Sequence, residues 1–126
     1  MRFAKVVFYI AGIYGLVSVP PLYFLFDVIG RRDPPAITHP QFYYGFVGVA
    51  LAWQFAFLVI ATNPVRFRPL MIPSVVEKLS YVIAVAVLYS QGKMSGQQSL
   101  TAVPDLLLGS LFILSFLKTP RAAGGD

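Results

Sequence analysis

Four long apolar stretches alternate with short segments rich in proline, glycine and charge. They cover residues 3–27, 40–62, 74–90 and 103–118. A helix needs roughly 20 apolar residues to cross the hydrocarbon core of a bilayer. The pattern therefore predicts an all-α chain, one domain over residues 1–126 folded as an integral membrane bundle of four transmembrane helices. Pro20-Pro21 falls in the second half of the first stretch and removes two amide donors, which predicts a kink or local unwinding there.

Punctuation refines the boundaries. Gly30-Arg31-Arg32-Asp33-Pro34-Pro35 breaks the chain after the first helix. Thr38 or His39 is placed to cap the second, Pro40 suits its first turn, and Asn63-Pro64 stops it. Ser74-x-x-Glu77 has the form of a capping box and would open the third helix, with Lys78 snorkelling towards the inner headgroups. Residues 91–98 read as a polar loop, and Pro104 and Asp105 suit the start of the fourth helix. The tail, residues 122–126, reads as frayed. Arg2 and Lys5 also fit the charged start of a signal peptide; no small-x-small site follows, so the first stretch is read as a retained helix.

Composition narrows the function. Hydrophobic residues make up 57% of the chain and charged ones 12%, too few for the surface of a soluble domain. Cysteine is absent, which excludes disulfides, thiolate metal sites and cysteine nucleophiles. His39 is the only histidine, so one chain cannot supply a two-histidine haem or metal site. No nucleophile, base and electrophile can be assembled, so no enzymatic activity and no cofactor are expected. The net charge of +5 does not point to nucleic acid, because the basic residues flank the apolar spans. Arg2, Lys5, Arg66, Arg68, Lys118 and Arg121 fall on one side, against Arg31, Arg32 and Lys93 on the other. That asymmetry predicts cytoplasmic termini in a bacterial cytoplasmic (inner) membrane.

Polar residues within spans are costly and are site candidates. Asp27 ends the first helix, sharing a face with Tyr23, Pro20, Leu16 and Tyr9; it reads either as a headgroup-level carboxylate beside Arg31 or as part of a site. Gln54 lies near the middle of the second helix and calls for an interhelical partner or a ligand. Glu77 reads as a capping residue or as the start of an inward stripe with Ser80, Tyr81, Ala84 and Gln91. Asp105 complements a helix dipole or faces Asp27. The expected pocket lies inside the bundle near Asp27, Gln54, Glu77 and Asp105, with Asp27 and Asp105 paired on the outer side, Gln54 deeper and Glu77 on the inner side. Gly45, Gly48 and Ala52 form a small-residue stripe that suits a neighbouring helix, from this chain, a homodimer or a larger complex.

Two resemblances bear on this reading. The run Tyr14-Gly15-Leu16-Val17-Ser18-Val19-Pro20-Pro21, with Leu25-Phe26-Asp27 after it, resembles the first helix of the sigma-2 receptor and emopamil-binding (EXPERA) group. Trp53-Gln54-Phe55-Ala56-Phe57-Leu58-Val59-Ile60-Ala61-Thr62 is similar to that group's second helix. The resemblance implies a four-helix membrane protein holding a sterol-like or hydrophobic amine ligand, with Asp27 and Gln54 as the residues carried over. That group's acidic residue on the second helix falls at Ala50 here, and no histidine stands in a helix, which argues against sterol isomerase activity. The segment Asp105-Leu106-Leu107-Leu108-Gly109-Ser110-Leu111-Phe112 is similar to DoxX-like small bacterial membrane proteins. The expected function is binding of a hydrophobic, lipid- or sterol-like ligand among membrane lipids. The alternatives are an accessory or assembly subunit and, third, an oligomeric transporter or channel.

Overall fold

The computed structural model describes residues 2–32 and 37–121; residue 1, residues 33–36 of the first loop and the tail 122–126 lie outside the described residues. Every regular element among them is helical: α1 (Arg2–Ser18), α2 (Phe26–Arg32), α3 (Pro40–Thr62), α4 (Met71–Ser90), α5 (Gly96–Ser99) and α6 (Val103–Lys118). Tighter 3-10 turns stand at Pro20–Phe24, Arg68–Leu70 and Leu100–Ala102. Joined through those turns, the chain makes four 23-residue helical stretches, Arg2–Phe24, Pro40–Thr62, Arg68–Ser90 and Gly96–Lys118. Each is long and apolar enough to cross a membrane, which points to an integral membrane protein.

The double proline unwinds the first helix. The amide of Val19 makes the last α-type bond, to Gly15, and the chain then winds as a 3-10 turn in which Leu22 bonds back to Val19. The Tyr43 hydroxyl donates to the Leu22 carbonyl at 2.6 Å, pinning this turn to α3. Asp27, expected to end the first helix, stands instead in the first turn of the separate helix α2.

The third and fourth helices begin earlier than their sequence punctuation suggests. Ser74 is no cap: its hydroxyl donates one turn back to the Leu70 carbonyl at 2.7 Å, and α4 is already running from Met71. The working capping box is Ser95 with Gln98. The Gln98 amide donates to Ser95 Oγ at 3.0 Å, and the Ser95 amide donates to Gln98 Oε1 at 2.9 Å. The fourth span therefore opens at Gly96 and runs through Leu100–Ala102 into α6. Both shifts move Glu77 and Asp105 from helix ends to the interior of their spans.

α1 lies along α3 and α4 along α6, and the two pairs meet chiefly between α1 and α6. Lipid tails are as apolar as leucine, so close packing rather than hydrophobic burial must hold the helices together. Glycine permits the approach. A Cβ at Gly12 would stand 2.6 Å from Leu58 Cδ2, and one at Gly109 would stand 2.8 Å from Leu79 Cδ2. At the centre Phe8, Phe57 and Phe112 are fully buried. Phe8 stacks on Phe112 at 4.2 Å between centroids, and Phe57 meets Phe112 edge-on at 4.9 Å.

Arg68 closes one end. Its Nε donates to the carbonyls of Thr119 (2.9 Å) and Phe116 (3.3 Å), and its guanidinium lies 3.8 Å over the Phe116 ring. These are terminal carbonyls of α6, where a cation also complements the helix dipole. Lys118 stands 4.5 Å over the Phe3 ring, so the basic residues of α1, the α3–α4 connection and the α6 terminus share one end of the molecule.

Candidate functional site

Lys78 is the residue around which the polar interior of α4 and α6 is built. It lies ten positions from Arg68, about 15 Å along a helix at 1.5 Å per residue, which is half of a roughly 30 Å hydrocarbon core. It is only 6% exposed. Its ammonium donates to Asp105 Oδ1 at 3.3 Å and stands 3.6 Å from Glu77 Oε2 and 5.3 Å from the Phe57 centroid. The expected snorkelling does not occur. With α4 starting at Met71, the inner headgroups are too far for the side chain, and Asp105 offers a charge partner at the same depth.

The three residues form a rung of two carboxylates and one ammonium. Glu77 and Asp105 keep about a fifth and a quarter of their side chains exposed, so the rung lies open on one flank. Glu77 Oε2 itself is buried and meets no hydrogen-bond donor among the described residues. Gly109, one turn beyond Asp105, admits the Lys78 stem: a Cβ there would be 3.2 Å from Lys78 Cβ. One turn outward from the rung the Tyr81 hydroxyl is hydrogen-bonded to Thr101 Oγ1 at 2.7 Å, and Thr101 donates on to the Gln98 carbonyl at 2.8 Å.

The other expected site residues separate from this rung. Gln54 is 2% exposed and interior, as its position suggested, but its partner is its own helix: Nε2 donates to the Ala50 carbonyl at 2.7 Å. Its Oε1 presses against Gly15, in the space a Cβ would fill, so the glycine Cα–H points at the oxygen. Asp27 is exposed and lines a shallow surface groove with Phe26, Gly30, Arg31 and Ile37. The anticipated pair of Asp27 with Asp105 does not form, because Asp105 lies at midspan on Lys78. Tyr23 is 37% exposed and stacks on Tyr44 at 6.2 Å. Ser80, Tyr81, Ala84 and Gln91 face outward; the buried line of α4 is Met71, Ser74, Lys78 and Val85. His39 stands at the N-cap of α3, as expected, but its side chain makes no capping bond, its Nδ1 lying 3.1 Å from Thr38 Oγ1.

The expected pocket at the centre of the helices is occupied by Phe8, Phe57, Phe112, Ile60 and Met71, all fully buried. An open apolar groove of about 220 Å³ lies instead between Val82, Val85, Ala86 and Tyr89 of α4 and Ser99, Ala102, Val103 and Leu106. Val82 follows Lys78 by one turn and Leu106 adjoins Asp105, so one end of the groove lies about one turn from the charged rung, whose residues do not line it.

Sequence reasoning placed Lys78 at the headgroups and gave Gly15 and Gly109 no role of their own. A signal for Lys78 was present: residues 74–90 and 103–118 are too short to cross a bilayer, so both helices had to extend, carrying their charges to midspan. No protein-family model matches the chain, and neither a curated protein nor a solved structure is detectably similar to it.

Proposed function

We propose that this chain is a four-helix membrane bundle that binds a hydrophobic, lipid-like molecule along the α4–α6 groove rather than in a closed interior cavity. The observation that carries the reading is the groove itself. Its walls are almost wholly apolar, and its Val82–Leu106 end lies about one turn from the charged rung of α4 and α6. At about 220 Å³ it is smaller than the roughly 300–1,000 Å³ of a drug-sized pocket. Val82 to Tyr89 spans about 10 Å at 1.5 Å per residue. That form suits one hydrocarbon chain lying between two helices better than a sterol ring system. The amphiphile's polar end lies at the rung or at the outer headgroups.

The resemblance to the sigma-2 receptor and emopamil-binding group implies Asp27 and Gln54 as the polar anchor; on the present reading that anchor lies at Glu77, Lys78 and Asp105 instead. The proposed setting is a bacterial cytoplasmic membrane with both termini in the cytoplasm, supported by the basic end formed around Arg68 and Lys118. Because the chain has no cysteine, single introduced cysteines at either end would report this orientation cleanly.

Native mass spectrometry in mild detergent with extraction and identification of bound lipid tests the reading. One defined hydrophobic molecule should be retained by the wild-type chain and lost from Ala86→Phe and Ala102→Phe, which fill the groove. Bulk lipid unaffected by both substitutions refutes it. Co-purification of other subunits would favour the accessory-subunit alternative. That alternative is supported by the outward face of α3, where Gly45 has open space beside it and Ala52 is exposed.

A further inference from the structure

We propose that the Glu77–Lys78–Asp105 rung is a proton-binding site reached from the α4–α5 side, with Glu77 as the group that takes the proton. This inference is independent of what occupies the groove.

The argument begins with a count of charge. Two carboxylates and one ammonium leave an excess of one negative charge at midspan, where uncompensated charge is least tolerated. One added proton makes the rung neutral. The geometry distinguishes the two acids. Asp105 holds the direct hydrogen bond from Lys78, whereas Glu77 Oε2 stands farther off, buried and without a donor. A hydronium ion gives one proton to Glu77 and leaves as water; the resulting carboxylic acid stands beside an intact Lys78–Asp105 ion pair.

Among the described residues of the elements packed around the rung, no other ion pair to Glu77 or Asp105 is formed, and Lys93 in the α4–α5 connection is exposed. On α4 itself Tyr81 is engaged with Thr101, and Tyr89 is exposed near the far end. From α6, Asp105 faces the rung, and Lys118 lies at the opposite end over Phe3. The turn Arg68–Leu70 offers Arg68, which is held on the α6 carbonyls. α5 and the turn Leu100–Ala102 contain no charged residue. α3 places Phe57 against Lys78, with Tyr43 and Tyr44 near its other terminus. On α1, Arg2 and Lys5 stand at the basic end, while Tyr9 and Tyr14 are exposed.

Access is one-sided. Towards the α4–α5 connection, Tyr81 lies one turn beyond Glu77 and Thr101 one turn before Asp105, so their hydroxyl pair forms a second polar rung on that side. Towards the basic end, Ser74 is fully buried with its hydroxyl committed to Leu70, and Phe57 and Phe112 are fully buried.

The test is infrared spectroscopy of the full chain in lipid nanodiscs, following the carbonyl band of protonated carboxyl groups from mildly acidic to mildly alkaline pH. The wild type should show one such band, exchanging in heavy water. Glu77→Gln should abolish it. Asp105→Asn should abolish it too, because the remaining glutamate and lysine are already neutral as a pair. Tyr81→Phe should keep the band and slow its hydrogen–deuterium exchange severalfold. Helical circular dichroism and monodisperse elution establish which variants fold, and absence of the band from the folded wild type counts against the proposal whether or not they do. Absence of any protonated carboxyl in the folded wild type across that range overturns the proposal, as does a band that survives in a folded Glu77→Gln variant.

Discussion

The α1–α3 pair and the α4–α6 pair meet the same problem, a polar side chain at midspan, and solve it differently. In the first, Gln54 turns its amide nitrogen back to Ala50 and lays its oxygen on Gly15, so the polarity is absorbed within a tight contact. In the second, Lys78 reaches across to Asp105 and leaves Glu77 Oε2 with no donor. Both pairs use glycine to bring backbones close, Gly12 and Gly15 in one and Gly109 in the other. The difference teaches that close packing alone does not make a site. A neutral amide can close its own account with the backbone, whereas an odd number of charges cannot.

The largest break in that comparison should come from Lys78→Met. Losing one partner of a buried ion pair typically costs about 3–5 kcal/mol, and here it leaves Asp105 without its ammonium. Unfolding of the detergent-solubilised protein by a stronger detergent measures it. Adding Glu77→Gln and Asp105→Asn to Lys78→Met should recover most of the loss; no recovery would mean the lysine acts through packing. By contrast, Gln54→Leu should change stability by less than about 1.5 kcal/mol, since its main hydrogen bond is to its own helix.

Phe112→Ala strikes both pairs at once, because the ring touches Phe8 and Phe57. A loss of about 3–5 kcal/mol is expected in the same assay. Gly15→Ala should cost about 1–3 kcal/mol by driving the Gln54 side chain out of place. Combining it with Gln54→Ala should restore part of that loss, a coupling that a double-mutant cycle reads directly. The smallest effect is expected from Tyr43→Phe, which removes the hydroxyl on Leu22 at a cost of about 0.5–1.5 kcal/mol. Its readout is faster amide exchange confined to the Pro20–Phe24 turn.

Four spans, the proline break and the interior position of Gln54 were legible because each depends on local composition or on chemistry fixed within a few residues. The depths of Glu77 and Asp105 were not. Ser-x-x-Glu and Ser-x-x-Gln look alike on paper, yet Ser74 bonds back to Leu70 within a helix while Ser95 caps one. Local pattern cannot decide between them; the length needed to cross a membrane can. The pairing of Lys78 with Asp105 depends on which helices become neighbours, and a period along one chain does not carry that information. Gly15 was quoted only as part of a motif, because its role exists only when Gln54 arrives from another helix.

The rung also dictates an order of manufacture. The third span presents Glu77 and Lys78 to the bilayer centre, and insertion scales put a charge such as lysine there at about +2.5–3.5 kcal/mol. The aspartate that relieves it lies on the fourth span, which leaves the ribosome later. The third span should therefore remain beside the insertion machinery until the fourth has emerged, and the two should pass into lipid as one unit. Nascent chains halted after Ser90 should crosslink to that machinery in the wild type and release from it when Glu77 and Lys78 are both replaced by leucine. Early release of the wild-type intermediate would show that the two spans are delivered separately.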